Sequence, residues 1–179
     1  TKHKFEIEKD KQVITFELEN NSTILQTNVE KSGYKEVMPG GVIKYDFYNI
    51  QNLSTVPLEN VYLHESVPFE AISVTKMYTG TFNYNTTYTV LYKTNKLSAF
   101  KVFKVNLFTD RIYELDFASG LQAGEYVTDI MFEFGTVPVG FREVERPSLY
   151  AQVKTSLPAN YEMTNIVTVG GKYNMQTVE

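Results

Sequence analysis

Few residues in this chain have the type and spacing to do chemistry. There are two histidines and no cysteine. A catalytic zinc needs three clustered nitrogen, sulfur or carboxylate ligands, and a serine hydrolase needs a histidine base oriented by a buried acid. His3 stands near the first residue and His64 sits beside Glu65 in an alternating stretch, so His64 reads as a strand-surface residue and no metal or cofactor is expected. Without cysteine there are no disulfides, thiolate ligands or thiol nucleophiles, which suits the cytosol or a disulfide-free bacterial exterior. Glu17 with Glu19, and Glu143 with Glu145, each place two acids on one side of a strand, and paired carboxylates are what glycoside hydrolysis uses. Alternating acids are also the pattern of a solvated strand face, and they are read that way here. A hydrolase would need converging carboxylates in a cleft, which no linear pattern here supplies.

Gly170-Gly171-Lys172 lacks the upstream glycine spacing and the following Ser or Thr of a phosphate loop, and reads as a turn after a strand. Asn21-Ser22-Thr23, Asn52-Leu53-Ser54 and Asn85-Thr86-Thr87 match the glycosylation acceptor pattern, which carries little meaning in a bacterial protein.

The elements that would position such groups are almost all strands. Phe5 and Ile7 alternate with acids, Lys9-Asp10-Lys11 turns, and Ile14, Phe16 and Leu18 alternate with polar residues, giving a hairpin. Further strands are expected over 24–31, 42–50, 61–66, 71–78, 88–93, 100–108, 112–117, 126–134, 148–155 and 165–169, with no helix. Pro39-Gly40-Gly41 is a turn whose glycines can take positive φ, and Gln51 to Thr55 is a polar loop. Ile43, Tyr45 and Phe47 share the inward face of their strand by period 2. Many short strands with polar connectors imply an all-β, immunoglobulin-like or Greek-key β-sandwich, because a half-buried sheet must cover its apolar face with another. Residues 24–179 form that domain; residues 1–23 complete it or belong to a preceding unit.

A chain of 179 residues with 42% hydrophobic content can bury a substantial core. Its net charge is −4 with both signs scattered, so no basic stripe invites nucleic acid. No apolar run reaches the roughly 18 residues of a membrane span, so no membrane contact is expected from this segment. The first residues have no signal-peptide core, so for an exported protein the targeting and anchoring segments would lie elsewhere. Thirteen tyrosines and 12 phenylalanines with no tryptophan fit a strand core better than a sugar platform.

From residue 30 to residue 68 the order of short blocks resembles a known family. Lys31-Ser32-Gly33, Pro39-Gly40-Gly41, Ile43, Tyr45, Asn52, Val56-Pro57-Leu58, Asn60-Val61 and Glu65-Ser66-Val67-Pro68 are similar to the conserved repeat of bacterial surface proteins known as domain of unknown function eleven. Tyr78 to Asn83, Tyr92 to Asn95, Gly124 to Thr128 and Phe134 to Phe141 resemble an elaborated form from Gram-positive gut bacteria, and Thr164 to Val169 resembles the last strand. Gly41 and Glu65 stand where the family often has Asp. The resemblance implies a non-enzymatic stalk, spacer or adhesive module of a larger protein on the cell surface or wall. Its partners would be neighbouring domains and a host or cell-wall protein or glycan. The alternative is a carbohydrate-binding module of an extracellular enzyme, which would need aromatic rings gathered on an exposed face.

Related pilin and adhesin modules of the Cna type form an internal amide between Lys and Asn, and this chain has residues in the corresponding places. That resemblance implies Lys31 as nucleophile, Asn165 as acceptor and Glu65 as buried acid. Burial would favour the neutral amine and the protonated carboxyl that such a reaction uses. The opposing reading makes Lys31 a solvated strand end, Glu65 a surface acid and Asn165 a turn or backbone partner.

Overall fold

Turn chemistry and two-residue periodicity organise the chain into strands, and the computed structural model describes residues 2–9, 12–19, 25–33 and 37–179. Strands β1 (Lys2–Lys9) and β2 (Gln12–Glu19) form the expected hairpin, with Phe5 opposite Phe16 and Ile7 opposite Ile14. It is a two-stranded sheet of its own.

The remaining strands build a β-sandwich, and no helix occurs among the described residues. One sheet contains β3 (Thr27–Gly33), β4 (Val42–Asn52), β6 (Ile72–Tyr78), β10 (Glu114–Asp116) and β13 (Ser148–Val153), in the order β10-β6-β13-β4-β3. The other contains β5 (Leu58–Ser66), β8 (Thr87–Thr94), β9 (Lys101–Phe108), β11 (Val127–Val137), β14 (Ile166–Tyr173) and β15 (Gln176–Val178), in the order β15-β14-β5-β11-β8-β9. Two short strands, β7 (Thr81–Phe82) and β12 (Glu143–Glu145), pair separately. Neighbours distant in sequence, such as β4 with β13 and β5 with β14, are the crossing connections of a Greek-key arrangement.

Alternation decides which side chains meet between the sheets. Ile43, Tyr45 and Phe47 are buried as their spacing predicts. At Asn49, with φ of 55°, the strand bulges and the buried set continues at Ile50 and Asn52. Phe82, Tyr88, Phe132, Phe134 and Phe141 form one ring cluster in the core, and Tyr92, Phe103 and Phe117 form another. The turn at Pro39-Gly40 is of type II, with Gly40 at φ 80° and the Gly41 N–H donating to the Met38 carbonyl at 2.9 Å.

Asn52 organises the loop that follows β4. Its amide donates to the carbonyls of Val56 and Pro138, both at 3.1 Å, and its side-chain oxygen accepts from the Ser54 N–H at 2.9 Å. A buried asparagine saturated in this way explains the Asn-x-x-x-Val-Pro spacing and leaves that acceptor motif no free amide.

Gly170-Gly171-Lys172 is a correction to the turn reading: these residues lie inside β14, paired with β5 through Gly170–Tyr62 and Lys172–Glu59. A Cβ on Gly170 would meet the Tyr62 hydroxyl at 2.5 Å, so the glycine makes room for a ring instead of turning the chain. The turn comes later, at Asn174 and Met175, both at positive φ between β14 and β15.

Gly80 and Gly124 separate two costs. Both have positive φ, but a Cβ on Gly80 would also collide with the Glu145 carbonyl oxygen and approach Pro147 N at 2.7 Å, while one on Gly124 meets nothing within 4 Å. Gly124→Ala is expected to cost about 1 kcal/mol, the left-handed backbone penalty alone, and Gly80→Ala several times more. Urea unfolding midpoints of the two variants check this, and equal midpoints would contradict it.

Candidate functional site

Strand parity brings one lysine into the sandwich. On β3, Lys31 pairs with Phe47 and Gly33 with Tyr45, so the Lys31 side chain follows the inward face of β4. Across the sandwich, β5 turns Glu65 inward, and the residue is buried. On β14, Val167 stands directly opposite Glu65. Asn165, two residues earlier, takes the diagonal position on the same face, within reach of a neighbouring long side chain.

The Lys31 ammonium donates to both Glu65 oxygens, at 2.6 and 2.5 Å. The two side chains retain only 9% and 2% exposure. The ammonium also lies 4.7 Å from the centre of the Tyr45 ring and 4.8 Å from that of Phe47, so two aromatic faces complete its surroundings. Both polar atoms of the Asn165 amide are buried and close no hydrogen bond. The approach of its N–H edge lowers the pKa of both Glu65 and Tyr45, against the larger upward effect of burial on each. Most buried polar groups are hydrogen-bonded, which makes a buried amide that closes no hydrogen bond beside an ion pair an exception that calls for a reason.

Burial sets the electrostatics. Desolvation lowers the Lys31 pKa to about 8, against the opposing pull of Glu65. Desolvation likewise raises the Glu65 pKa, outweighing the Lys31 charge, its hydrogen bond and the Asn165 amide. The two shifts have one cause and bring the pair closer to sharing its proton as neutral amine and neutral acid. Lys31, Tyr45, Met163 and Asn165 also line a cleft beside the segment from Leu157 to Asn165, so the lysine and the amide border a path to solvent.

The structure thus brings Lys31, Glu65 and Asn165 to one place, and the surface readings of Lys31 and Glu65 do not hold. Sequence reasoning placed Tyr45 and Phe47 in the core but missed that they enclose the lysine. The available signal was their position on the strand that pairs with β3, and it becomes readable only once the register is known. The other candidates stay apart. His64 is partly exposed, 2.8 Å from Asp129 Oδ1 and edge-on to Phe100. Glu143 accepts from the Asn49 N–H at 2.7 Å, while Glu145 is exposed. The side chains of His3, Glu17 and Glu19, and the Asn21-Ser22-Thr23 segment, lie outside the described residues. Among the described residues no cluster of three or more potential metal ligands occurs, and no helix is long and apolar enough to cross a membrane.

Comparison of the chain with family models, curated proteins and solved structures found no match.

Removing one partner of a buried pair strands the other charge. In an Asn165→Ala background, Glu65→Ala is expected to lose about 3–5 kcal/mol, and Lys31→Met combined with Glu65→Leu to recover most of it. Chemical denaturation of the three proteins tests this. A double variant as unstable as Glu65→Ala would show that the pair itself, not the desolvated charge, dominates.

Proposed function

We propose that this chain is a non-enzymatic structural module of a larger bacterial cell-surface protein, closed on itself by an amide between Lys31 Nζ and Asn165 Cγ. The observation that carries this reading is the enclosed Lys31–Glu65 pair with the unpartnered Asn165 amide beside it. A buried ion pair is a poor source of stability compared with apolar packing, so its presence asks for another use. A lysine whose pKa falls to about 8 is within reach of its nucleophilic form near neutral pH.

The reaction needs no co-reactant. Transfer of one proton from Lys31 to Glu65 leaves a neutral amine and a carboxylic acid. The amine lone pair attacks Asn165 Cγ, and the carbonyl π electrons move to Oδ1. Glu65 donates its proton toward the departing Nδ2 and receives the one released by the lysine nitrogen. The carbonyl re-forms, the Cγ–Nδ2 bond breaks, and one ammonia leaves through the cleft. The product is an amide with one N–H, and Glu65 finishes in the protonation state it held after the first transfer.

The tie would join the first and last long strands of the sandwich and close the chain from residue 31 to residue 165. A cross-link around a loop of this size stabilises by about 4–5 kcal/mol through the unfolded chain, on the scale established for disulfides. This suits a load-bearing surface segment made without cysteine. Neighbouring domains of the same protein, and host or cell-wall proteins or glycans, are the partners this reading implies.

Intact mass of the denatured protein is expected to fall short of the sequence mass by one ammonia. Lys31→Ala, Glu65→Ala and Asn165→Ala should each restore the full mass, and a full mass in the unmodified protein would reject the amide. The rate of closure should also depend on pH in a determined direction. Below the raised Glu65 pKa both groups carry protons and the amine is unavailable; above about 8 the pair has lost its shared proton and the acid with it. Closure followed by mass from acid to alkaline pH is therefore expected to be fastest between those limits. A rate still rising well above pH 8 would exclude the acid role of Glu65.

A further inference from the structure

We infer that copies of this chain join head to tail, the outer edge of β2 in one copy adding as a strand to the open edge of β9 in the next. The surfaces involved lie apart from Lys31 and Glu65, and the contact does not depend on the amide.

Sheet edges recruit strands because they present unpaired N–H and C=O groups. The two sandwich sheets end at β10, β3, β15 and β9. Strands β10 and β15 have three residues each, and β3 is flanked by β14, where the Thr27 hydroxyl meets the Val169 carbonyl. By contrast β9 has eight residues, and Val102, Val105 and Phe108 are exposed on it. Asn106, at φ 56°, kinks its far end and leaves Lys101 to Val105 as the straight stretch. Lys101 and Lys104 are the charges of that stretch, and neither has an ion-pair partner among the described residues. Two lysines on an edge repel a second β9 and favour an acidic strand.

The hairpin supplies such a strand. With β1 it makes a two-stranded sheet, and two strands alone are marginal in water, so a third neighbour stabilises them. By sequence β2 (QVITFELE) carries Glu17 and Glu19 and no basic residue, while β1 mixes three lysines with two glutamates. The complementary edge is therefore that of β2, which equals β9 in length at eight residues.

Tether length decides whose hairpin reaches β9. Gln26 is pinned, its N–H donating to Ser54 Oγ at 2.8 Å and its carbonyl accepting from the Leu53 N–H at 2.8 Å. Only residues 20–25 connect it to β2, and such a tether reaches at most about 25 Å when fully extended. From β14, which β3 borders, to a strand added outside β9 is five strand spacings, about 24 Å. That line runs through the core, and a route round the sandwich is longer than the tether. The hairpin of the same copy cannot make the contact, whereas that of another copy can. Because the two surfaces differ, the contact is heterologous and propagates from copy to copy.

Two variants of the full 179-residue chain test this. Glu17→Lys with Glu19→Lys makes the hairpin basic, and Lys101→Glu with Lys104→Glu makes the edge acidic. In either variant alone, hairpin and edge carry like charge. In an equal mixture, the hairpin of one variant meets an edge of opposite sign on the other. Circular dichroism establishes that both variants keep the β spectrum, and sedimentation velocity over a concentration series reads assembly. The unmodified protein is expected to form a concentration-dependent series of oligomers that shortens as salt is raised. Either variant alone should need about tenfold more protein to assemble, and the mixture should return to the unmodified behaviour. Rescue by mixing distinguishes pairing between copies from any effect within one copy. An unmodified protein that stays monomeric up to about 1 mM overturns the inference. Assembly that both variants retain at the unmodified concentration places the contact elsewhere and overturns it as well. Weakened assembly that mixing fails to restore shows that the two sets of charges do not meet, which also overturns it.

Discussion

Two opposite charges taken out of water cost several kcal/mol each, and their attraction recovers that only in tight geometry. The Lys31–Glu65 pair meets the requirement with both carboxylate oxygens engaged and two aromatic faces around the ammonium. Much of the surrounding structure follows from it. The register of β3 on β4 must be the one that sets Lys31 opposite Phe47, because a slip of one residue would turn the ammonium to solvent and leave Glu65 buried alone. Gly33 must lack a side chain for Tyr45 to lie beside the lysine. The register of β14 on β5 then fixes where Asn165 arrives.

Most of the strands were legible in the sequence because alternation and turn residues report local backbone directly. Ile43, Tyr45 and Phe47 could be turned inward from spacing alone, and the core aromatics could be told from a sugar platform by their density within strands. The short strands β7 and β15 were not foreseen, and β12 showed only as the alternation of Glu143 and Glu145, since two or three residues carry no period. Gly170-Gly171 looked like a turn because glycine usually marks one, whereas its role is set by Tyr62 on the neighbouring strand, a contact no local pattern contains. The site shows the same division. Lys31, Glu65 and Asn165 came from a resemblance; that they meet depends on pairings between residues far apart in the chain.

The distribution of rings also bears on the competing reading as a carbohydrate-binding module. Phe82, Tyr88, Phe132, Phe134 and Phe141 stack on one another inside the sandwich, so their faces are spent on packing. Among the described residues the exposed aromatics are Phe69, Tyr84, Phe108 and Tyr161, one at the end of β9 and three in different loops. A sugar platform needs adjacent free faces, and Phe69 already stacks on Tyr126 at 5.2 Å. Among the described residues the clustered rings therefore belong to the core, which leaves the buried lysine as the feature that a plain sandwich would not require.

Where the tie sits matters as much as whether it forms. The Thr27 hydroxyl donates to the Val169 carbonyl at 2.9 Å, and four residues further along β3 Lys31 lies beside Asn165, four residues back from Val169. The two strands therefore run in opposite directions along this edge of the sandwich. Tension applied through residues preceding β3 and following β14 would enter at Thr27 and Val169 and peel the strands apart one contact at a time, the weakest geometry for a β structure because bonds break in series. An amide between Lys31 and Asn165 would stop that peeling within four residues, two periods of side-chain alternation, before it passed Phe47 or Glu65. Every strand between residues 31 and 165 would then lie outside the path of the load. The same bond placed between interior strands would leave the edge strand β3 free to peel from β4, so its position on β3 is what would let a single covalent contact protect the core behind it.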